Sequence, residues 1–405
     1  MPKGPVLFLS ARVGEGHRAA ADAVRGRLAA RGIRGEVVDS YRYAASLFSK
    51  VVSDGYIGMV RTIPQLYGFI YDRAERATAA GGFRVWASEF TARNIRRLIE
   101  RTKPSAVVCT HAFPCGVMSA YKRLYDPSLP VMGIVTDFVV HPFWIYKNVD
   151  AYAVATPEIR AAMIGRGIDP ERIGVDGIPI DPRFAARPPD RAGLREALGL
   201  PRDAAVALVM GGGLGLGPVA ATVRALSAAA VPVTPVVIVG KNKRLERRFA
   251  EEARREGGDV RVLGFVENVF DWMHAADVLV TKPGGLSTSE ALAARLPMVL
   301  LRPLPGQEER NARYLVSRGA ALRARNPREL VRVVDAVLHD EATAQRVRSA
   351  AAALAHPDAA ERIAERIASL TQRIPSPRHS EGAAADEATP GGATKARLLE
   401  RWPSG

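Results

Sequence analysis

Short apolar runs rich in β-branched residues recur along the chain, separated by longer alanine-rich stretches with helical period. In the first half they are PVLFLS, GEVVD, AVVCTH, PVMGIVTD, AYAVAT and IGVDG; in the second, AVALVMGGG, TPVVIVG, VRVLG, VLVTK and PMVLLRP. The runs are continuous rather than alternating, as strands covered on both faces require. Strand and helix in regular succession predict a doubly wound parallel α/β sheet. The stretch 181–203 breaks the rhythm with Pro182, Pro188, Pro189 and Pro201, after which AVALVMGGG opens a fresh strand. The pattern therefore predicts two such sheets in two domains, 1–187 and 188–374. From 375 to 405 the sequence is small, polar and proline-rich, and disorder is expected there.

One segment departs from the alternation. Residues 41–101 form a helical, aromatic-bearing insertion in which ten basic residues face five acidic ones. Two uses fit it: an apolar face packed on its own domain, or a basic amphipathic surface lying on an anionic membrane. The whole chain leans the same way, with 57 Lys and Arg against 42 Asp and Glu over 405 residues, a formal charge of +15. Such a balance attracts phosphates, anionic membranes or nucleic acid. The basic residues are spread out with no aromatic-basic stacking module, which argues against a nucleic-acid partner. No apolar run is long enough to span a bilayer, and the opening glycine-rich turn comes too early for a signal peptide. Cys109 and Cys115 make neither a disulfide framework nor a metal spacing, so the expectation is a reducing cytoplasm.

Three glycine-bearing turns follow predicted strands. In FLSARVGEGHRAAADAV, Gly14, Gly16 and Ala19 fit G-x-G-x-x-A, with Asp39 at the end of the second strand. This is a nicotinamide-type fingerprint on paper. Three residues separate the strand from Gly14, however, and the titratable His17 stands where only phosphate contact is needed. The second turn is VMGGGLGLGP, where Gly211, Gly212 and Gly213 let backbone N–H groups approach a phosphate at a helix N-terminus. The third, TKPGGLSTSEALAARLPMVLLRPLPGQEERNARYL, is the most specific. Pro283, Gly284, Gly285 and Leu286 turn from strand to helix, and Ser287, Thr288 or Ser289 is expected as the helix cap. Free N–H groups there suit a diphosphate, and Glu290 one turn in suits a ribose diol. Gln307, Glu308 and Asn311 in PGQEERN offer amide and carboxylate groups for sugar hydroxyls.

TKPGGLSTSEAL and LPGQEERN, preceded by VLGFVENVFDWMHAADV, resemble the nucleotide-sugar half of inverting GT-B glycosyltransferases. SARVGEGHRAAADAV, VCTHAFPCGVM and VTDFVVHPFWIYKNVDAYAV narrow this to the monogalactosyldiacylglycerol synthase and processive diacylglycerol glucosyltransferase family. That resemblance covers about residues 5–370. It implies two Rossmann-like domains around a cleft, a UDP-sugar on the second and a diacylglycerol-type lipid entering from the first. It implies that His17 is the general base, assisted by Asp137, with His141 and Trp144 on the acceptor side; for Trp144 a core role is nearly as well supported. Gly16 and the three glycine turns would hold the donor, with Lys241 and Asn242 at phosphate or ribose and the backbone of Phe265 and Val266 at uracil. Helix N-termini would replace a metal at the diphosphate, so no obligatory metal is expected. The enzyme would work in the cytoplasm, peripherally on the inner face of the cell membrane. Transfer of N-acetylglucosamine to a polyprenyl-linked acceptor is the rival within the same fold.

Overall fold

The computed structural model describes residues 4–11, 15–43, 78–186, 190–211, 219–227, 233–256, 260–301 and 303–372. The predicted tail, most of the 41–101 insertion and Gly14, Gly212 and Gly213 lie outside them.

Twelve strands form two six-stranded, wholly parallel sheets. The first contains β1 (Val6–Ser10), β2 (Gly35–Asp39), β3 (Ala106–Cys109), β4 (Val131–Ile134), β5 (Ala151–Val154) and β6 (Ile173–Val175), in the spatial order β2-β1-β3-β4-β5-β6. The second contains β7 (Ala205–Met210), β8 (Val233–Ile238), β9 (Arg261–Leu263), β10 (Val278–Thr281), β11 (Met298–Leu301) and β12 (Leu322–Ala324), in the order β12-β11-β10-β7-β8-β9. Val6–Leu9, β3, β4, β10 and β11 are buried at every position, because helices cover both faces of each sheet. In each sheet the winding reverses beside its first strand, between β1 and β3 and between β7 and β10. Crevices at the carboxyl ends of such reversal points are where open α/β sheets hold ligands.

Eleven of the strands coincide with the apolar runs. The twelfth, Leu322–Ala324, is an edge strand with only Ala324 fully buried, and its Arg323 forks onto Glu309 at 2.8 and 2.9 Å. A three-residue strand carrying an arginine has no apolar run to betray it.

In the helix Thr78–Thr102, Ala92, Ile95, Leu98 and Ile99 are buried against the first lobe, while Arg93, Arg96, Arg97 and Arg101 face solvent. For this part of the insertion the apolar face belongs to the protein's own core. The last helix, Ala359–Gln372, crosses back from the second lobe to the first. Its Ile363, Ala364, Ile367 and Leu370 share a core with Val6, Phe8 and Met132. Arg366 clasps the buried Asp176 through Nε and Nη2 at 2.9 and 3.1 Å, and Arg31 of the helix Glu15–Ala30 reaches Glu361 and Glu365.

Candidate functional site

Two helix N-termini meet across the cleft between the sheets. One is the helix Glu15–Ala30 after β1; the other is Gly285–Ala293 after β10. They are close: a Cβ built on Gly16 would stand 3.5 Å from the Leu286 Cβ. A Cβ on Gly285 would collide with the Thr136 carbonyl after β4, so only glycine lets the lobes approach there. At Gly284 the same added atom would meet nothing. The glycine at 284 therefore answers no packing need and leaves the helix terminus open.

The Gly285 helix starts earlier than the sequence suggests. Gly284 is its N-cap, and no side chain caps it. The hydroxyls expected as caps turn inward instead. Thr288 Oγ1 donates to the Gly284 carbonyl at 2.7 Å, and Ser289 Oγ to the Gly285 carbonyl at 2.8 Å. Ser287, half-exposed, forms no cap either. The cap expectation fails because Pro283-Gly284 already gives the extended entry, so the hydroxyls fall one turn inside. The first N–H groups of the helix are left for another acceptor.

Glu290, one turn on, is buried, and its carboxyl makes no hydrogen bond within the described residues. Burial, helped by the charge of Asp181, pushes its carboxyl up to about 8. A buried carboxyl without a donor is costly unless a ligand supplies one.

His17 lies in the first turn of its helix, half-buried at the crevice between β1 and β3. Its Nδ1 is 3.0 Å from Thr136 Oγ1, and its ring stands edge-on to His111 at 4.8 Å. Burial lowers it to about 4, against the opposing effect of a hydrogen bond to the Thr110 backbone. It is therefore a neutral imidazole at physiological pH, able to accept a proton.

Asp137 follows Thr136, yet its partners lie in the other lobe. Its Oδ1 accepts from Asn311 Nδ2 at 2.8 Å, and Gln307 also bonds to it. Desolvation raises it to about 7, partly offset by those two hydrogen bonds. No bond joins Asp137 to His17; Thr136 and the Thr110 backbone hold the imidazole instead. The fully buried Asn311 amide also accepts from the Phe138 N–H at 3.0 Å and donates to the Pro283 carbonyl at 3.2 Å. Its amide is spent within the protein, so Asn311 joins the β4 loop to the β10 loop rather than presenting itself to a sugar. Gln307 Nε2 donates to the Val139 carbonyl at 3.0 Å. Glu308 is paired with Lys282 at 2.6 Å and accepts from the Leu304 N–H.

Elsewhere at the cleft, Lys241 reaches Glu15 at 2.9 Å and lies 4.9 Å from the ring centroid of the half-exposed Phe265. Asn242 caps the helix Lys243–Glu256 through the Leu245 N–H. Val266 packs against the core and Gly211 is buried at the end of β7. His141 caps the short turn Pro142–Trp144, and its ring stands edge-on to Phe143 with centroids 4.2 Å apart. Trp144 is only 4% exposed within the first core, so it takes the core role rather than lining the cleft.

Sequence reasoning missed Thr136, His111 and Lys282. Each sits one or two residues past a strand end in a quoted motif, VTD, CTH and VTK, which was the available signal.

Residues 17–180 match the family described as monogalactosyldiacylglycerol (MGDG) synthase, and residues 219–354 the family described as glycosyl transferases group 1. The chain is 30% identical over 384 residues to the processive diacylglycerol beta-glucosyltransferase of Bacillus mycoides, covering 94% of this chain and 97% of that one. The protein of the same name from Bacillus cereus strain AH820 is 30% identical over 385 residues, with the same coverage. Among solved structures, MurG of Acinetobacter baumannii superposes with a TM-score of 0.57 at 18% identity, covering 90% of this chain and 99% of that one. Anabaena HepE in complex with UDP-glucose gives 0.51 at 16%, covering 90% and 100%. These structures share the GT-B architecture of two Rossmann-like lobes around a cleft.

Proposed function

Because the chain belongs to the monogalactosyldiacylglycerol synthase and processive diacylglycerol glucosyltransferase family of glycosyltransferases, we propose that its cleft moves a hexose from a UDP-sugar to diacylglycerol or a glycosyl-diacylglycerol, with inversion. The observation that carries the reading is the pair of helix N-termini facing each other, one bearing His17 and the other the uncapped N–H groups after Gly284.

On this reading the diphosphate of the donor lies at the Gly285 helix terminus and against Lys241, whose partner Glu15 it displaces. The terminus and the lysine stabilise the charge that grows on the leaving UDP. Glu290 accepts hydrogen bonds from the ribose hydroxyls, and uracil lies at Phe265 and Val266. The hexose extends toward Gln307, with Glu308 and Asn311 holding the surrounding loops. His17 removes the proton from the acceptor hydroxyl while that oxygen attacks the anomeric carbon from the face opposite UDP. The bond from carbon to the UDP oxygen breaks, and an α-linked donor yields a β-glycoside. The diphosphate brings negative charge into the cleft and raises the basicity of His17 at the moment it is needed.

Charge at the helix N-terminus does here what a cation does elsewhere. Transfer is accordingly expected to be unchanged by a chelator in excess. Among the described residues no helix is long and apolar enough to cross a membrane. The arginine face of the helix Thr78–Thr102 supports a peripheral approach to anionic lipid on the cytoplasmic side.

The test is incubation of the protein with labelled UDP-glucose, UDP-galactose or UDP-N-acetylglucosamine and diacylglycerol in anionic vesicles. Label in a glycosyl-diacylglycerol supports the reading and identifies the donor. Transfer of N-acetylglucosamine to a polyprenyl-linked acceptor, with none to diacylglycerol, overturns it.

A further inference from the structure

His111 stands beside the base and belongs to no role assigned so far. It follows β3 and caps the helix Ala112–Leu124, its Nδ1 accepting from the Phe113 N–H at 3.1 Å. That bond fixes the tautomer. With Nδ1 as acceptor, a neutral ring carries its proton on Nε2. Burial and the neighbouring His17 hold His111 down to about 3, so the ring is neutral under any ordinary condition. No group among the described residues accepts from Nε2, and the ring is half-exposed at the crevice rather than enclosed. Capping alone does not call for imidazole, because serine, threonine, aspartate and asparagine do it better. Alongside runs an apolar wall: Tyr41 stacks on Phe113 with centroids 5.1 Å apart and planes within 14°, and Tyr41 is 6.1 Å from His111. The crevice thus offers a proton donor and a proton acceptor side by side, next to aromatic surface.

We propose that His111 binds the lipid acceptor, its Nε2–H donating to the oxygen next to the hydroxyl that His17 deprotonates. The inference rests on the glycosyltransferase reading above and adds the residue that registers the acceptor. In diacylglycerol that neighbouring oxygen belongs to an ester; in a glycosyl-diacylglycerol it is a sugar oxygen. Both are hydrogen-bond acceptors, so one donor serves both. A molecule with one oxygen-rich end and apolar chains matches a polar pair flanked by stacked rings. His17 and His111 together hold the polar end of the acceptor at two points, which orients the lone pair of its hydroxyl toward the anomeric carbon.

Two substitutions separate this role from capping. His111→Ser keeps a good cap and loses the Nε2 donor; His111→Gln keeps an amide donor near the Nε2 position and caps poorly. With His111→Ser, the KM for diacylglycerol in mixed micelles is expected to rise about tenfold, the loss of one hydrogen bond. Its melting temperature, its KM for UDP-glucose and its hydrolysis of UDP-glucose without lipid are expected to stay near wild type. His111→Gln is expected to return the lipid KM to within about threefold. A wild-type lipid KM in His111→Ser overturns the proposal. So does a parallel loss of lipid KM, donor KM and stability in both variants, which would mark a purely structural residue. If the wild-type protein hydrolyses UDP-glucose yet transfers nothing to lipid, the glycosyltransferase reading falls and this one with it.

Discussion

His17, Asp137 and Glu290 are each moved away from their ordinary protonation by burial, and in directions that suit different tasks. For His17 the shift to about 4 means that the group stays neutral well below its usual range. The acid limb of kcat/KM is therefore expected near pH 4 to 5 instead of 6.5, measured with lipid in detergent micelles, and His17→Ala should cut kcat by about 10²–10⁴. For Glu290 the sign is opposite. Its folded value of about 8 lies above the unfolded one, so ionisation costs the folded protein stability as pH rises from about 4.5 to 8. A ribose diol donating to the carboxylate favours the ionised form, so UDP should bind more tightly as pH rises through 8, releasing a proton. Titration calorimetry in buffers of different ionisation enthalpy reads that proton directly. Glu290→Gln should weaken UDP binding about tenfold and abolish the proton release. Both residues were legible because an imidazole after a glycine turn and a carboxylate one turn into a helix are unusual enough to notice. Thr136 and His111 were not, because their roles come from where β3 and β4 end in space, and spacing along the chain does not encode that.

Elements were read more reliably than their ends. Apolar runs locate eleven strands because both faces of each sheet are buried. The twelfth, at an edge, gains its place from Arg323 and its neighbour β11, which no local pattern announces. The cap of the Gly285 helix was misplaced by three to five residues, since hydroxyl-rich sequence reads as a cap even where it donates to carbonyls inside the helix. Gly306, at φ 91°, does mark the start of the helix Gln307–Ser317, a backbone state that favours glycine. The neighbouring Gly284 and Gly285 invite a paired test. Gly285→Ala meets the Thr136 carbonyl and should hold the lobes apart, reducing kcat and thermal stability together. Gly284→Ala meets no protein atom, so its melting temperature should stay within a few degrees while affinity for UDP falls. The same two measurements on both variants decide the matter; equal behaviour of the pair would contradict it.

At the scale of the molecule, the sequence announced two lobes and a basic surface but gave no hint of how the lobes are joined. Asn311 ties the β4 loop to the β10 loop, and the helix Ala359–Gln372 lies on the first sheet although the chain reaches it from the second. Neither follows from periodicity, because an amphipathic helix does not say which sheet it covers. Ile367 is fully buried at that junction, and Ile367→Ala should cost about 2–5 kcal/mol, read as a lower urea midpoint for the first lobe. The exposed arginines of the helix Thr78–Thr102 act at the same scale. Binding to vesicles containing anionic lipid should fall steeply between 0.05 and about 0.5 M salt, as screening shortens the reach of surface charge to a few ångströms; binding indifferent to salt would remove this face from the membrane approach.

The returning helix also imposes an order on the birth of the protein. A ribosome releases β1 to β6 early, yet Val6, Phe8 and Met132 find Ile363, Ile367 and Leu370 only after the whole second sheet has been made. The first lobe must wait, with one flank of its core exposed, while some two hundred further residues are translated. At ordinary rates of translation that wait lasts on the order of ten seconds or more. A holding chaperone would find its natural foothold there, on the bare strip beside β3 that the last helix eventually seals.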